Sequence, residues 1–288
     1  MSKTIKRSFI LGEEWLYYKV YCGVRIADLI LEEVIAPLSE ELLEKKLIHE
    51  WFFIRYNDPD PHLRLRFKLS DVKKIGGVIN VFNKYVSIYF QANLIWKVQT
   101  DTYVRELERY GLSTMTLSEQ LFFHDSLLII NALAEIKDEE MYFLFILKCI
   151  DSFLTDFQLS KSEKLLFSKQ NALAYQTEFN LEKSTIKSLA KKYRFIRINL
   201  NKVMTGVDVN KKFISIEKSM TKRNQSLRSL SVKILAYNKK GVLEVDLHEL
   251  LRSYLHMLIN RSFRDKQRFY EMIAYDFLFK YYTSNFYR

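Results

Sequence analysis

Three basic side chains alternate along a short segment that has the pattern of a β-strand. In residues 51–67, WFFIRYNDPDPHLRLRF, two strand-like runs flank a proline-containing turn, and the second run carries His62, Arg64 and Arg66 at every other position. Like charges on one sheet face repel each other, so this stripe is either a solvated or ion-paired face or a site that binds an anion. Two guanidiniums about 7 Å apart suit a carboxylate or an enolate, because the planar fork of arginine binds carboxylates through two hydrogen bonds.

A second pair of arginines lies four positions apart in YVRELERYG, residues 103–111. This spacing puts Arg105 and Arg109 on one side of the chain whether the segment is a strand or a helix. Either the two arginines form a surface lattice with the neighbouring glutamates, or they add positive charge to a site that binds an anion.

A third group of polar residues follows helical spacing in LLRSYLHMLINR, residues 250–261. Arg252, His256 and Asn260 recur every fourth residue and form a stripe beside an apolar stripe of leucines. A single histidine on a helix is usually a structural residue, but its apolar neighbours indicate partial burial. A partly buried, neutral imidazole is suited to act as a base near pH 7.

The elements that must position these residues are strands first and helices afterwards. Alternation and β-branched or aromatic content predict strands over residues 15–22, 51–56, 62–69 and 93–99. Helical spacing predicts helices over 25–35, closed by Pro37, over 38–47 and over 71–90, and then over 117–134, 139–157, 161–175, 181–201, 211–236, 246–260 and 265–282. This order predicts an α+β fold, with a mostly antiparallel N-terminal sheet packed against a large C-terminal helical part. We expect residues 1–288 to form a single domain, with a flexible tail over residues 1–12.

The composition excludes several classes of protein. The 288 residues are 48% hydrophobic, which excludes wholesale disorder, and seven glycines and three prolines disfavour glycine-rich phosphate loops and propellers. The sequence lacks the motifs G-x-G-x-x-G, G-x-x-x-x-G-K-[ST], H-E-x-x-H, C-x-x-C and G-x-S-x-G, so nucleotide, flavin and zinc chemistry have no support. Two cysteines do not make a disulfide framework, and no apolar run reaches 18 residues, so we expect a cytoplasmic protein without a membrane span.

The chain is strongly basic. Its 45 Lys and Arg against 34 Asp and Glu give a net charge of +11, which attracts anionic partners such as nucleic acid, anionic lipid or an acidic substrate. The densest basic stretches are residues 183–197 and 211–228. They are either solvated helix faces or surfaces that contact phosphates.

The sequence resembles the C-terminal, glutamate-elimination domain of lantibiotic dehydratases, which also occurs as a separate chain in thiopeptide-type bacteriocin biosynthesis. The similar segments are WLYYKVY near the start, WFFIRYNDPDPHLRLRF, DTYVRELERYG, the F-x-x-D-S pattern at residues 122–126, and HMLINR with Glu271 after it. The resemblance extends from about Trp15 to Tyr282. One departure is that Gly111 is followed by Leu112, where the family often has a second glycine.

The resemblance implies a reaction and its residues. In that family one enzyme half transfers glutamate from glutamyl-tRNA to Ser or Thr of a precursor peptide, and the other half removes it to leave dehydroalanine or dehydrobutyrine. The resemblance assigns catalytic roles to Arg66, Arg109 and His256 and places Arg64 beside Arg66. We add His62, Arg105 and Asn260 to Arg64 as candidate substrate-binding residues. Neither a metal nor an organic cofactor is required.

The implied partners are a precursor peptide and a separate tRNA-dependent glutamylating subunit, with direct tRNA contact as a further option. Two other functions stay open. One is a [4+2] cyclisation of two dehydroalanines into a pyridine ring, which related proteins perform. The other is a non-catalytic subunit that binds peptide or tRNA through the two basic stretches.

Overall fold

The computed structural model describes residues 5–207 and 211–286, with side chains throughout except at residues 211–214. These residues form two compact units, one of residues 5–134 and 236–265 and the other of residues 135–235 and 266–286. The expectation of a single domain over 1–288 stays a prediction. Within the described ranges, none of the helices has both the length and the apolar character needed to cross a membrane.

The first unit contains both β-sheets of the described chain. Four strands are hydrogen-bonded in the order β3-β4-β2-β5, every pair antiparallel, and β1 pairs with β6 in a separate two-stranded sheet. The strands are β1 (Ser8–Phe9), β2 (Trp15–Cys22), β3 (Ile48–Asn57), β4 (Pro61–Leu69), β5 (Ile95–Thr100) and β6 (Tyr103–Val104). The four predicted strands are therefore confirmed, and β3 and β4 form the predicted hairpin, with Asn57 opposite Pro61.

The α+β class is confirmed, because the sheets lie in the N-terminal part of the chain and helices fill the C-terminal part. The helices are α1 (Ile26–Ile30), α2 (Ala36–Glu44), α3 (Ile75–Gln91), α4 (Leu107–Tyr110), α5 (Met115–Glu135), α6 (Glu139–Asp156), α7 (Lys161–Glu178), α8 (Lys183–Thr205), α9 (Lys211–Lys239), α10 (Leu247–Ser262) and α11 (Gln267–Ser284). All seven helices predicted after residue 117 are present, with ends that differ by a few residues.

The prediction that Pro37 ends the first helix is wrong. Helical backbone continues from α1 through one π-helical turn, Leu31–Ile35, into α2, which has Pro37 in its first turn. The amide of Ala36 donates to the carbonyl of Leu31, five residues back. A proline is tolerated in the first turn of a helical segment, where an amide N–H needs no intrahelical acceptor, and the π turn shifts the hydrogen-bond register just before it.

Part of the expected N-terminal tail is built into the first unit. Ser8 and Phe9 pair with β6, and the Phe9 ring is buried, 5.9 Å from the Tyr103 ring. The guanidinium of Arg105 lies 4.7 Å from the Phe9 ring centroid. These aromatic and cation–π contacts explain why this short segment is ordered. Residues 1–4 of the expected tail lie outside the described residues.

The four-stranded sheet has one largely apolar face and one mixed face. On β4, Leu63, Leu65 and Phe67 are buried on the apolar face, where Tyr18 of β2 stacks on Phe82 of α3 at 4.0 Å. The opposite face carries the basic residues of β4. Because side chains alternate along β4, its apolar side chains face the core and its basic side chains lie together on the opposite face.

The second unit is helical throughout its described residues and includes α6, α7, α8 and α11. Helices α7 and α11 are joined by stacked Tyr175 and Tyr275 rings with centroids 6.0 Å apart. Helices α6 and α8 are joined by a hydrogen bond of 2.9 Å from the Asn199 amide to the Glu140 carboxylate.

Candidate active site

The predicted basic stripe lies on one face of β4, as its alternation indicates. Across the sheet, Arg66 faces Tyr17 of β2 and Phe52 of β3, and His62 faces a tyrosine on each neighbouring strand. The stripe is thus surrounded by aromatic side chains rather than by carboxylates, so it is not the simple ion-pair ladder that the sequence also allowed.

Arg66 is the most unusual residue of this face. Its side chain is only 7% exposed, and its guanidinium carbon lies 4.6, 5.2 and 4.8 Å from the ring centroids of Tyr17, Phe52 and Tyr103. Among the residues that the structure describes, Nε and Nη1 of Arg66 have no hydrogen-bond partner. Burial lowers the pKa of Arg66 below that of an ordinary arginine. A buried cation with unpaired donors is costly, and an anionic ligand is the partner that would satisfy it.

Arg64 and His62 are coupled to each other. The guanidinium carbon of Arg64 lies 3.3 Å from the centroid of the Tyr56 ring, and its Nε donates to Nε2 of His62 at 3.2 Å. Nδ1 of His62 donates to the carbonyl of Asp60 at 2.8 Å, since a carbonyl can only accept. His62 is therefore a neutral imidazole with one defined tautomer, and burial lowers its pKa. Its remaining lone pair is already taken by Arg64.

Arg105 supports the aromatic cage around Arg66, and each of its three guanidinium nitrogens already makes a hydrogen bond within the protein. Its guanidinium makes two hydrogen bonds to the buried carboxylate of Glu119, at 2.7 and 2.6 Å, and a third at 2.9 Å to the carbonyl of Lys6. The same carboxylate accepts a hydrogen bond of 2.8 Å from the hydroxyl of Tyr103. Arg105 thus holds Glu119, and Glu119 holds one ring of the cage. These contacts have a structural role, and the substrate-binding role expected from the sequence stays a prediction.

Arg109, which the resemblance places in the same site, is accessible. Its side chain is 45% exposed and forms an ion pair of 3.3 Å with Glu106. Burial lowers the pKa of Arg66, and the charge of Glu106 is one of several smaller influences that oppose this shift. The joint site of Arg66 and Arg109 stays a prediction.

Asn260 and His256 lie one turn apart on α10. The side-chain oxygen of Asn260 accepts from the amide of Arg55 at 3.0 Å, and its amide group donates to the carbonyl of Arg55 at 2.9 Å. Asn260 therefore attaches α10 to the outer edge of β3, which is a use of its polar atoms other than the expected contact with substrate. His256 is half-buried on this anchored helix.

A buried arginine that the sequence interpretation did not select is Arg261. It is fully buried; its Nε donates to Ser126 Oγ at 3.2 Å and its Nη1 to the carbonyl of Met257 at 2.9 Å. Its Nη2 has no hydrogen-bond partner within residues 5–207 and 211–286. Burial lowers the pKa of Arg261 to about 10; the charge of Arg66 contributes in the same direction, while Asp125 opposes the shift.

The signal for Arg261 was present in the sequence. Arg261 ends the string HMLINR, and Ser126 ends the F-x-x-D-S pattern. Ser126 Oγ also accepts from the amide of Phe53 on β3 at 3.3 Å, so the two motifs meet at the sheet edge. The first unit thus contains two buried guanidiniums whose charges act on each other, each with unpaired donors. This arrangement is suited to stabilising a negative charge.

Most of the chain matches the model of one protein family. The model described as the C-terminal part of lantibiotic biosynthesis dehydratases matches residues 15–282. The chain belongs to this family. Its membership is supported further by its similarity to the subtilin biosynthesis protein SpaB of Bacillus subtilis, which is 30% identical over 191 residues. That match covers 63% of this chain and 18% of SpaB, so the chain spans less than a fifth of the length of this relative.

Two solved structures are similar in fold to this family member. One is the tRNA-dependent lantibiotic dehydratase MibB from Microbispora sp. 107891, with a TM-score of 0.74, 18% identity, and coverage of 98% of this chain and 29% of MibB. The other is TbtD, a pyridine synthase from thiomuracin biosynthesis, with a TM-score of 0.70, 13% identity, and coverage of 94% of this chain and 100% of TbtD. At these identities the likeness shows a common fold.

Proposed function

We propose that the chain is a lyase that removes glutamate from glutamylated Ser or Thr in a ribosomal precursor peptide. In this reaction a base takes the α-proton, and the bond between Cβ and the ester oxygen breaks. A carbon–carbon double bond forms, and glutamate leaves as a carboxylate. The α-proton of a peptide residue is weakly acidic, so the enolate that forms on its removal needs positive charge arranged in advance.

The observation that carries the proposal is the buried guanidinium of Arg66. Its unpaired Nε and Nη1, enclosed by the rings of Tyr17, Phe52 and Tyr103, are suited to a carboxylate or an enolate oxygen. Low exposure strengthens such an interaction, because water competes poorly for the donors. We assign Arg66 to stabilisation of the enolate or the departing carboxylate.

We assign supporting roles to Arg109 and Arg64 at the exposed side of the site. Arg109 is accessible, and its ion pair with Glu106 is a surface contact, which a glutamyl carboxylate can replace at little cost. Arg64 is held on Tyr56 and by His62, which fixes its guanidinium beside the stripe. Both side chains would bind the glutamyl group.

His256 is the proposed proton carrier. It is half-buried on α10, which Asn260 attaches to β3, so its position relative to the sheet is fixed. A neutral imidazole can accept the α-proton, and the imidazolium can then donate it to a leaving oxygen. His62 is a weaker candidate because Arg64 occupies its acceptor nitrogen.

The family membership supports a precursor peptide as the substrate. We propose that a separate tRNA-dependent subunit adds the glutamate, because MibB, which is similar in fold, is a tRNA-dependent dehydratase. We propose the cytoplasm, where charged tRNA is found, as the site of the reaction.

The alternative within this fold is pyridine formation from two dehydroalanines, because TbtD, a pyridine synthase, has a similar fold. That reaction presents no glutamyl carboxylate to a buried arginine. The unpaired donors of Arg66 therefore favour elimination.

The test is to incubate the purified chain with a chemically glutamylated precursor peptide and to follow the peptide by mass spectrometry. Elimination converts each glutamylated Ser into a residue one water lighter than Ser and releases free glutamate. In a parallel reaction with an already dehydrated peptide, ring formation together with no glutamate release in the first reaction would favour the cyclase. A peptide of unchanged mass that stays bound to the protein would favour a non-catalytic subunit.

A matched pair of variants connects this assay to the site. Arg66→Ala should let the glutamylated peptide accumulate. Lys68→Ala, on the same face of β4, should not, because Lys68 is already paired with Glu14 at 3.5 Å and Glu50 at 3.8 Å.

A further inference from the structure

The second unit contains an apolar pocket that the proposed reaction does not use. It has a volume of about 460 Å³, within the range of ligand-binding cavities, and lies between α6, α8 and α11. Its apolar walls include Phe143, Phe195 and Phe277, and Lys191 and Lys192 line its α8 side. Phe277 is almost fully buried and Phe195 is largely exposed, so the pocket opens to solvent beside α8.

Helix α8 gives this pocket a strongly positive border. The helix carries seven Lys and Arg residues and no Asp or Glu. It also exposes two large apolar side chains, Phe195 at 81% and Ile198 at 63%. Exposed aromatic side chains next to a recess mark a binding surface, and a border of one charge selects a partner of the opposite charge.

On its α6 side the pocket has a different character. Glu140 lines the pocket there and is held by the Asn199 amide at 2.9 Å. Asn199 belongs to α8, so this hydrogen bond attaches the Glu140 carboxylate to the neighbouring helix. The lining thus carries two positive charges and one negative charge, and the positive charge is in excess.

We propose that this pocket binds an acidic peptide segment of a partner, which inserts a large apolar side chain between α6, α8 and α11 and places its carboxylates beside Lys191 and Lys192. A peptide is favoured over other anions by the shape of the site. Nucleic acid phosphates would contact the lysines and leave the apolar recess empty. A bilayer would contact only the protruding Phe195 and Ile198.

The test uses the full chain and a fluorescein-labelled helical peptide with leucines along one face and glutamates on the others. Binding is measured by fluorescence anisotropy. The parent chain should bind this peptide, and binding should weaken with added salt. Two altered peptides, with lysine for every glutamate or serine for every leucine, should bind at least about tenfold more weakly.

Variants locate the binding to the pocket. Phe195→Ala should weaken binding at least about tenfold, whereas Leu166→Ala, an exposed apolar residue of α7, should not. The double variant Lys191→Glu with Lys192→Glu should weaken it at least about tenfold, whereas Lys183→Glu in the first turn of α8 should have little effect. All these side chains are exposed, so the variants should stay folded, as circular dichroism will verify.

The proposal is overturned if the parent chain does not bind the peptide, or if Phe195→Ala binds it as well as Leu166→Ala does. It is also overturned if tRNA or anionic phosphatidylserine vesicles bind the parent chain and depend on Phe195, Lys191 and Lys192 while the peptide does not. Because the readout is binding and not turnover, the result is independent of the proposed elimination reaction.

Discussion

Asn260 of α10 is hydrogen-bonded to the backbone of Arg55 on β3 through both ends of its side-chain amide, at 3.0 and 2.9 Å. Strand β3 lies at the edge of the sheet, so these backbone groups of Arg55 have no neighbouring strand to pair with, and Asn260 supplies their partners. The side chain of Arg55 adds a hydrogen bond of 2.9 Å to the carbonyl of Arg261. The helix that carries His256 is thus attached to the strand next to the basic stripe.

We predict that Asn260→Ala destabilises the protein by about 1–3 kcal/mol, because it leaves both backbone groups of Arg55 without these partners. The free energy of unfolding in urea measures the effect. Arg252→Ala, two turns earlier on α10, should change stability by no more than about 0.5 kcal/mol, since its ion pair with Glu249 is exposed. Equal effects of the two substitutions would show that Asn260 does not attach α10.

We predict that Arg105→Met destabilises the protein by about 3–5 kcal/mol, because it leaves the buried carboxylate of Glu119 without its cation. Adding Glu119→Leu should restore most of the loss, since the pair is then replaced by apolar groups. Arg109→Met is the control and should be close to neutral for stability, as Arg109 is largely exposed. A small effect of Arg105→Met alone would contradict the structural role assigned to this arginine.

We predict that the neutral state of His62 makes folding sensitive to acid. Burial lowers the pKa of His62 in the folded chain below its usual 6.5. The unfolded chain therefore binds more protons once the pH falls below about 6.5, and the free energy of unfolding should decrease from there down through the folded-state pKa. Urea unfolding at a series of pH values should show a smaller acid-side slope for His62→Gln than for the parent. His49→Gln, at an exposed position on β3, should keep the parental slope.

We predict that His256→Asn lowers the elimination rate by about 10²–10⁴-fold, the usual contribution of a positioned general acid or base. Single-turnover rates with the glutamylated peptide measure the effect. If His256→Asn eliminates glutamate at the parental rate, the base is another residue.

The secondary structure could be predicted largely because its patterns are local. Aromatic and β-branched content predicted β2 at its observed ends, and the two prolines after Tyr56 located the β3–β4 hairpin. Pro37 was misinterpreted because the π turn before it has no local sequence signature, and only the hydrogen-bond register shows that the helical backbone continues.

The site could be predicted only in part. The face that Arg66 occupies follows from alternation, but its cage combines rings from β2, β3 and β6, which no local pattern brings together. The four-residue spacing of Arg105 and Arg109 was misleading because α4 begins at Leu107, so only Arg109 is on the helix. Arg261 ends the HMLINR string but was not selected, because its burial depends on packing against Phe122, whose ring centroid lies 4.7 Å from the guanidinium carbon.

The central claim is that Arg66 is kept buried and unpaired in order to bind the negative charge of the reaction. Such an arrangement lowers stability, and replacing a buried charge by an apolar side chain of similar size is often neutral or stabilising by about 1–4 kcal/mol. Arg66→Met should therefore be at least as stable as the parent chain in urea, which separates loss of activity from loss of folding.

The most direct measurement is the single-turnover rate of glutamate release from the glutamylated peptide by Arg66→Met, with Lys68→Met as the control on the same strand face. The account predicts a loss of about 10²–10³-fold for Arg66→Met, the usual effect of removing a donor to an oxyanion, and a nearly parental rate for Lys68→Met. A folded Arg66→Met protein that releases glutamate at the parental rate would contradict it.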